Sequence, residues 1–208
     1  MIINVSKLNG KLEGFRAIGT NTHTNEYCQK MQSAKDNTIC PWCYSEKAIK
    51  KGYNKNLEDF LQHNTEVLGD NILTEYVYRQ GSSITTKLND TYFRFQQHGE
   101  IINMKHLINL MNIAIDNPKT TFGFWTKRKN LIKRYAKKNG IPDNVIMVYS
   151  NPRINHIMET VPGGFNKVFN NVWSEFETEK QNCTGQKCID CLRCYDKDKD
   201  NIIIEAVK

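Results

Sequence analysis

The chain has 208 residues, 39% hydrophobic, 25% charged and 10% aromatic. That supports one globular domain with a core, and excludes wholesale disorder and a collagen-like fibre. Twenty-nine Lys+Arg against 22 Asp+Glu leave a formal charge of +7, and no run of about eighteen apolar residues is present, so a membrane partner is not expected.

In chain order, MIINVSKLNGKLEGF carries no apolar stretch and no small-residue cleavage site, so no secretory signal is expected and the protein is placed in the cytoplasm. GFRAIGTN (14–21) reads as a first strand leading into a group of cysteines. YSEKAIKK and LEDFLQHNTEVL (57–68) read as helices, and so does ILTEYVYR (72–79). TYFRFQQ (91–97) is rich in aromatic and β-branched residues and breaks at His98-Gly99. NMKHLINLMNIAIDN (103–117) repeats Leu107, Leu110, Met111 and Ala114 at helical spacing and stops before Pro118. TTFGFWT (120–126) is a strand. KNLIKRYAKKNG (129–140) is a basic-faced helix closed by a glycine, where a left-handed cap is expected. NVIMVYS (144–150) is an apolar strand buried on both faces, and FNKVFNNVW (165–173) and NIIIEAV (201–207) read as later strands.

Strand and helix alternate at a spacing that implies right-handed βαβ crossovers. The predicted class is α/β: a mostly parallel sheet of βα units, as an open sheet or a partial (β/α) barrel. One domain spans 1–208, with an α/β core over 14–173, a Cys-rich, metal-binding segment over 174–200 expected as a C-terminal appendage, and a terminal strand over 201–208.

Seven cysteines leave an odd thiol, and disulfides are rare in a reducing cytosol. They form two groups, Cys28, Cys40 and Cys43, then Cys183, Cys188, Cys191 and Cys194, with none over 44–182. Such clustering points to metal or iron–sulfur ligation. Three cysteines suit a 4Fe–4S cluster with one iron open to an outside ligand; His23, or a cysteine of the second group, would instead complete a zinc site. The second group, C-x4-C-x2-C-x2-C, fits a closed 4Fe–4S cluster or a Zn(Cys)4 site equally. One shared centre and two separate ones both remain open at this point.

The pieces ICPWCYSEKA, FRFQQHGEI, FGFWTKR, VIMVYSNP and NCTGQKCIDCLRCYD, spread over about residues 8 to 196, resemble the phage gene-product-88 family. A phage-encoded protein of this kind would work in the host cell cytoplasm. More distantly, the order of features is similar to the radical S-adenosylmethionine superfamily, built on a partial (β/α) barrel. There a loop after the first strand carries three cluster cysteines with an aromatic residue before the last, as Trp42 precedes Cys43. A later strand ends in Gly-Gly-Glu, which meets the amino group of S-adenosylmethionine; here the step is His98-Gly99-Glu100. The last four cysteines would match the auxiliary clusters of some members. The chain departs from that pattern in its C-x11-C-x2-C spacing and in His98, and only Gly163-Gly164 offers a glycine step for the adenosine.

The strand ends collect further polar residues. His98, Gly99, Glu100, Thr126, Arg128 and Ser150 fall at the carboxyl edge, where α/β proteins place ligands, and are the candidate cofactor-binding residues for a small molecule. Gly99 is equally explained by a turn, and Arg128 suits a bidentate carboxylate or phosphate. Lys127, Arg128, Lys129, Lys133, Arg134, Lys137 and Lys138 could track nucleic acid, or form the solvated face of a helix that buries Leu131, Ile132 and Tyr135. His63, His106 and His156 carry no functional signal. Two functions are expected from these residues. One is an iron–sulfur protein, radical-SAM-like if it is an enzyme. The other is a zinc-stabilised adaptor for nucleic acid or protein.

Overall fold

The computed structural model describes residues 1–34, 37–51, 56–176 and 179–207. Its main sheet has seven strands: β2 (Ser6–Lys7), β3 (Arg16–Ile18), β6 (Tyr92–Phe95), β7 (Thr121–Thr126), β8 (Val145–Ile154), β9 (Lys167–Trp173) and β10 (Ile202–Val207), in the order β10-β9-β8-β7-β6-β3-β2. All neighbours are parallel except β2 on β3. Each parallel strand lies beside its predecessor, so the crossovers advance in one direction. The sheet is open, with β10 and β2 as its edges, and no closed barrel forms.

The two faces differ. Phe93, Phe95, Phe122, Phe124, Val145 and Met147 point to a core shared with α3 (Leu57–Asp70), α4 (Met104–Asp116) and α5 (Lys129–Asn139). Phe95 stacks on Phe122 at 4.6 Å. The alternate residues Ala17 and Trp125 turn to the opposite face and pack there with Tyr195. Along α5, Leu131, Ile132 and Tyr135 are buried while Lys133, Arg134, Lys137 and Lys138 are exposed, an amphipathic helix with a solvated basic face. Its closing Gly140 has the positive φ expected of it, +74°, but an extended ψ rather than the left-handed cap. Among the described residues no helix is long and apolar enough to cross a membrane.

Two sequence expectations are corrected. Residues 72–79 do not form a helix: they lead into β4 (Val77–Gln80), which joins β1 (Ile2–Asn4) and β5 (Ser83–Thr85) in a second sheet. The side chains of Tyr76 and Tyr78 suit a strand, and the deciding partner, β1, lies some seventy residues upstream. The segment 14–21 holds the third strand rather than the first, because β1 and β2 precede it. The strand of 144–150 also runs on to Ile154, through a register shift between Ser150 and Ile154 that accommodates Pro152.

Two histidines are interior. His106 is fully buried, its Nδ1 accepts from Ile102 N at 3.1 Å, and its Nε2 lies 3.2 Å from the Gln96 amide. An accepting Nδ1 leaves the proton on Nε2, so the ring is neutral. Burial, and then the Arg128 cation, pull its pKa down to about 3; burial and the Arg94 cation pull His98 to about 4. Both folded values lie below the unfolded one near 6.5, so the unfolded chain binds more protons as pH falls below about 6.5. Stability is therefore expected to fall between about pH 6.5 and 4, by up to ~1.4 kcal/mol per pH unit for each histidine. Urea melts across that range check this, and His106→Gln should flatten the slope.

Candidate metal centre at the strand ends

Three segments bring the first cysteine group to the carboxyl edge. After β3, the chain runs through buried Thr20, Asn21, Thr22 and Asn25 into α1 (Glu26–Gln32). Asn25 caps that helix by accepting from Cys28 N at 3.2 Å, and donates from Nδ2 to the Glu100 carbonyl at 2.8 Å. One side chain thus fixes Cys28 against the end of β6. The CPWC run forms a 3-10 turn, Cys43 N donating to Cys40 O at 3.1 Å. That turn is tied to β8 by Ile39 N donating to Pro152 O at 2.8 Å. Cys43 then begins α2 (Tyr44–Lys50), whose Ser45 hydroxyl meets His98 Nδ1 at 2.7 Å.

All six candidate cofactor-binding residues lie at this edge, and three of them, Glu100, Thr126 and Arg128, are hydrogen-bonded to one another. Glu100 is buried, and its Oε1 accepts from Ile101 N at 2.8 Å and Thr126 Oγ1 at 2.5 Å, while Oε2 accepts from Lys127 N at 2.7 Å. Arg128 N donates to Thr126 Oγ1, and Arg128 Nη1 donates to the carbonyls of Ile101 and Ile102, both at 2.7 Å. The Arg128 guanidinium also lies 5.0 Å from the Tyr27 ring centroid. Glu100 and Arg128 therefore first serve to join the ends of β6 and β7. Gly99 has a structural reason of its own: at φ +71° a Cβ would stand 2.3 Å from Thr20 Oγ1.

Lys127 belongs by sequence to the strand-end step Thr126-Lys127-Arg128 and to a basic run, but is not among the candidate cofactor-binding residues. Its Nζ donates to Ser150 Oγ at 3.2 Å. Burial lowers its pKa, but the negative charge of Cys40, Glu100, Cys43 and Cys28 more than offsets this and leaves it raised. All three thiols and the Glu100 carboxylate thus act electrostatically on this one ammonium. Burial pushes the Cys28 thiol up strongly, with Glu100 and Cys43 adding to it; Cys40 is also raised by burial, which Lys127 opposes. With pKa values raised in this way, Cys28 and Cys40 ionise less readily than ordinary thiols, so their charge acts on Lys127 only at alkaline pH. His23 is engaged elsewhere, between Glu46 at 3.1 Å and Glu58 at 2.8 Å.

The second group packs on the other sheet face. Cys183 bridges to β10 at Glu205, and α6 (Cys188–Cys191) holds the next two thiols. Tyr195 is buried against Phe15 at 4.8 Å and Trp125 at 5.7 Å, with Cys188 and Cys194 in the same cluster. Buried Lys167 donates to the carbonyls of Lys199 and Asp200. The segment expected to hang off the core is thus anchored to it. Burial raises the Cys194 thiol, with Arg94 opposing the rise and the other three thiols of its group adding to it. Among the described residues, no three His, Cys, Asp or Glu side chains are drawn together as a metal-holding group.

This arrangement defines an α/β protein with a thiol-bearing mouth at the carboxyl edge of a mostly parallel sheet. The family model described as Gene product 88 matches residues 6–206, and the chain belongs to that phage family. No curated protein and no solved structure matches it. The resemblance to the radical S-adenosylmethionine superfamily finds no support in these comparisons.

Proposed function

We propose that the protein is an iron–sulfur protein. Cys28, Cys40 and Cys43 would hold a 4Fe–4S cluster with one iron open, and Cys183, Cys188, Cys191 and Cys194 a second, closed centre. The observation that carries this reading is that α1 and the CPWC turn deliver three thiols to the carboxyl edge of the sheet, where all three act electrostatically on the Lys127 ammonium. A lysine among neutral thiols gains little; among metal-bound thiolates it offsets their charge.

A bound cluster supplies one-electron chemistry and an open iron. The chain does the remainder. Glu100 ties the strand ends together, Lys127 balances charge and holds Ser150, and exposed Trp42 and Tyr44 flank Cys43 at the rim. S-adenosylmethionine is the narrower candidate for the open iron. Its amino group would meet a Glu100 carboxylate that already accepts three donors, leaving one lone-pair direction on Oε2.

Anaerobically purified protein is expected to be brown, with several irons and matching sulfide per chain. Colourless protein holding stoichiometric zinc, even after anaerobic reconstitution, would overturn this reading in favour of the zinc-stabilised adaptor. Release of 5′-deoxyadenosine on incubation with S-adenosylmethionine and dithionite would establish the narrower activity; iron-loaded protein without that product restricts it to electron transfer or ligand binding.

A further inference from the structure

Among the described residues, one charge on the sheet face opposite the helices has neither a hydrogen-bond nor a carboxylate partner. Arg94 lies between Phe93 and Phe95, which enter the helix-covered core, so its side chain points to the opposite face. There its guanidinium sits 4.0 Å from the Trp125 ring centroid, and its Nε is buried with no hydrogen-bond partner. The other half-buried arginines are answered: Arg16 by Asp90 and Gln80, Arg79 by Asn4, Arg128 by two carbonyls and Arg193 by Asp200. Lys11, on the same side, pairs with Glu205. Among the described residues no carboxylate pairs with Arg94.

The Tyr195 hydroxyl is a second buried orphan, on a ring 5.7 Å from the same Trp125. Gly123 makes room for it, since a Cβ there would come within 2.6 Å of Tyr195 Cε1. Both orphans are donors, and buried donors left unpaired are costly, so this place calls for an acceptor. The sulfurs packed into it are Cys188 and Cys194. Burial raises the Cys194 thiol to about 12, with Arg94 the cation that opposes the rise. A thiol is a weak acceptor, whereas a charged thiolate accepts strongly.

Resting on the second centre proposed above, we infer that Arg94 and Tyr195 are its positioning residues: Arg94 Nε–H and Tyr195 O–H donate to the metal-bound thiolates of Cys188 and Cys194. This makes the C-terminal centre part of the sheet, because one of its hydrogen-bond donors comes from the middle of β6. Donors to cluster sulfur favour the more negative, reduced state and raise the reduction potential.

The test uses full-length protein carrying Cys28→Ser, Cys40→Ser and Cys43→Ser, reconstituted anaerobically so that only the C-terminal centre is loaded. Metal content is read first, and absence of any bound metal would overturn the second centre itself. With iron bound, Arg94→Gln and Tyr195→Phe are each expected to keep it and to weaken reduction about tenfold, a fall of about 59 mV for a one-electron couple. Retained iron with unmoved midpoints in both variants overturns the inference. With zinc bound, cobalt replaces it, and the sulfur-to-cobalt band should shift in both variants; an unmoved band overturns the inference equally. Should a variant fold poorly, the unmutated Arg94–Tyr195 protein decides. Its reduced cluster, or its cobalt, should show a proton coupling that disappears in deuterium oxide, and no such coupling overturns the assignment.

Discussion

Gly99→Ala is expected to destabilise the protein by about 2–4 kcal/mol, combining a left-handed backbone with a buried clash. Gly99 holds φ +71°, and an added Cβ would stand 2.3 Å from Thr20 Oγ1 and 2.5 Å from the Thr20 carbonyl oxygen. The hydroxyl can rotate away, but the carbonyl belongs to a backbone pinned by Thr20 N donating to His98 O at 3.0 Å. The loop that delivers Cys28 would therefore have to move. Gly81→Ala supplies the control: φ is +58° there, but nothing lies within 4 Å of the added carbon, so only the backbone cost of about 1 kcal/mol applies. Urea unfolding of both variants checks the difference. Equal losses would show that the Thr20 contact yields freely.

Removing the Glu100 carboxylate is the second large effect. Glu100→Ala strands three donors, Ile101 N, Thr126 Oγ1 and Lys127 N, and withdraws the negative charge closest in role to Lys127. Buried donors left unpaired cost about 1–3 kcal/mol each, partly recovered by water, so a loss of about 3–5 kcal/mol is expected. Glu100→Gln retains an acceptor on one side and turns an amide N–H toward the other donors, so it should recover part of the stability. A cofactor-binding role alone would leave the urea midpoint of both variants unchanged, whereas the structural role lowers it in proportion to the donors left unpaired.

These two residues also mark what local sequence pattern conveys. β6, α4, β7, α5 and β8 follow from contiguous periodicity, and the rule that ligands gather at carboxyl strand ends then selects His98, Glu100, Thr126 and Ser150. β1 and β4 escape because neither is amphipathic enough alone; each becomes a strand through pairing across some seventy residues. What the site residues do depends on side-chain direction, which register decides. The sequence marks Glu100 as an acceptor at a strand end, and only the structure shows that Ile101, Thr126 and Lys127 already donate to it. It likewise marks Arg128 as a cation there, and only the structure shows its Nη1 on the carbonyls of Ile101 and Ile102.

Lys127 was hidden by its company. A run of seven cations invites a surface reading, although only those from Lys129 onward belong to the helix; Lys127 precedes α5 and turns back toward Ser150. Arg94 left a clearer signal. A charged residue between two phenylalanines of a central strand faces the opposite side of the sheet, and there the structure packs Tyr195, Cys188 and Cys194 of the Cys-rich segment. The seven cysteines accordingly divide into one group delivered to the mouth by α1 and the CPWC turn and one packed on the sheet's other face.

The most direct measurement compares iron and sulfide per chain in the anaerobically reconstituted wild type and in the Cys28→Ser, Cys40→Ser, Cys43→Ser variant, with circular dichroism confirming the fold of both. The proposed arrangement predicts that the folded variant loses about four irons and four sulfides, the content of one 4Fe–4S cluster, and retains the C-terminal centre. Equal iron in the two proteins, or zinc alone in both, would contradict a cluster held by the strand-end thiols.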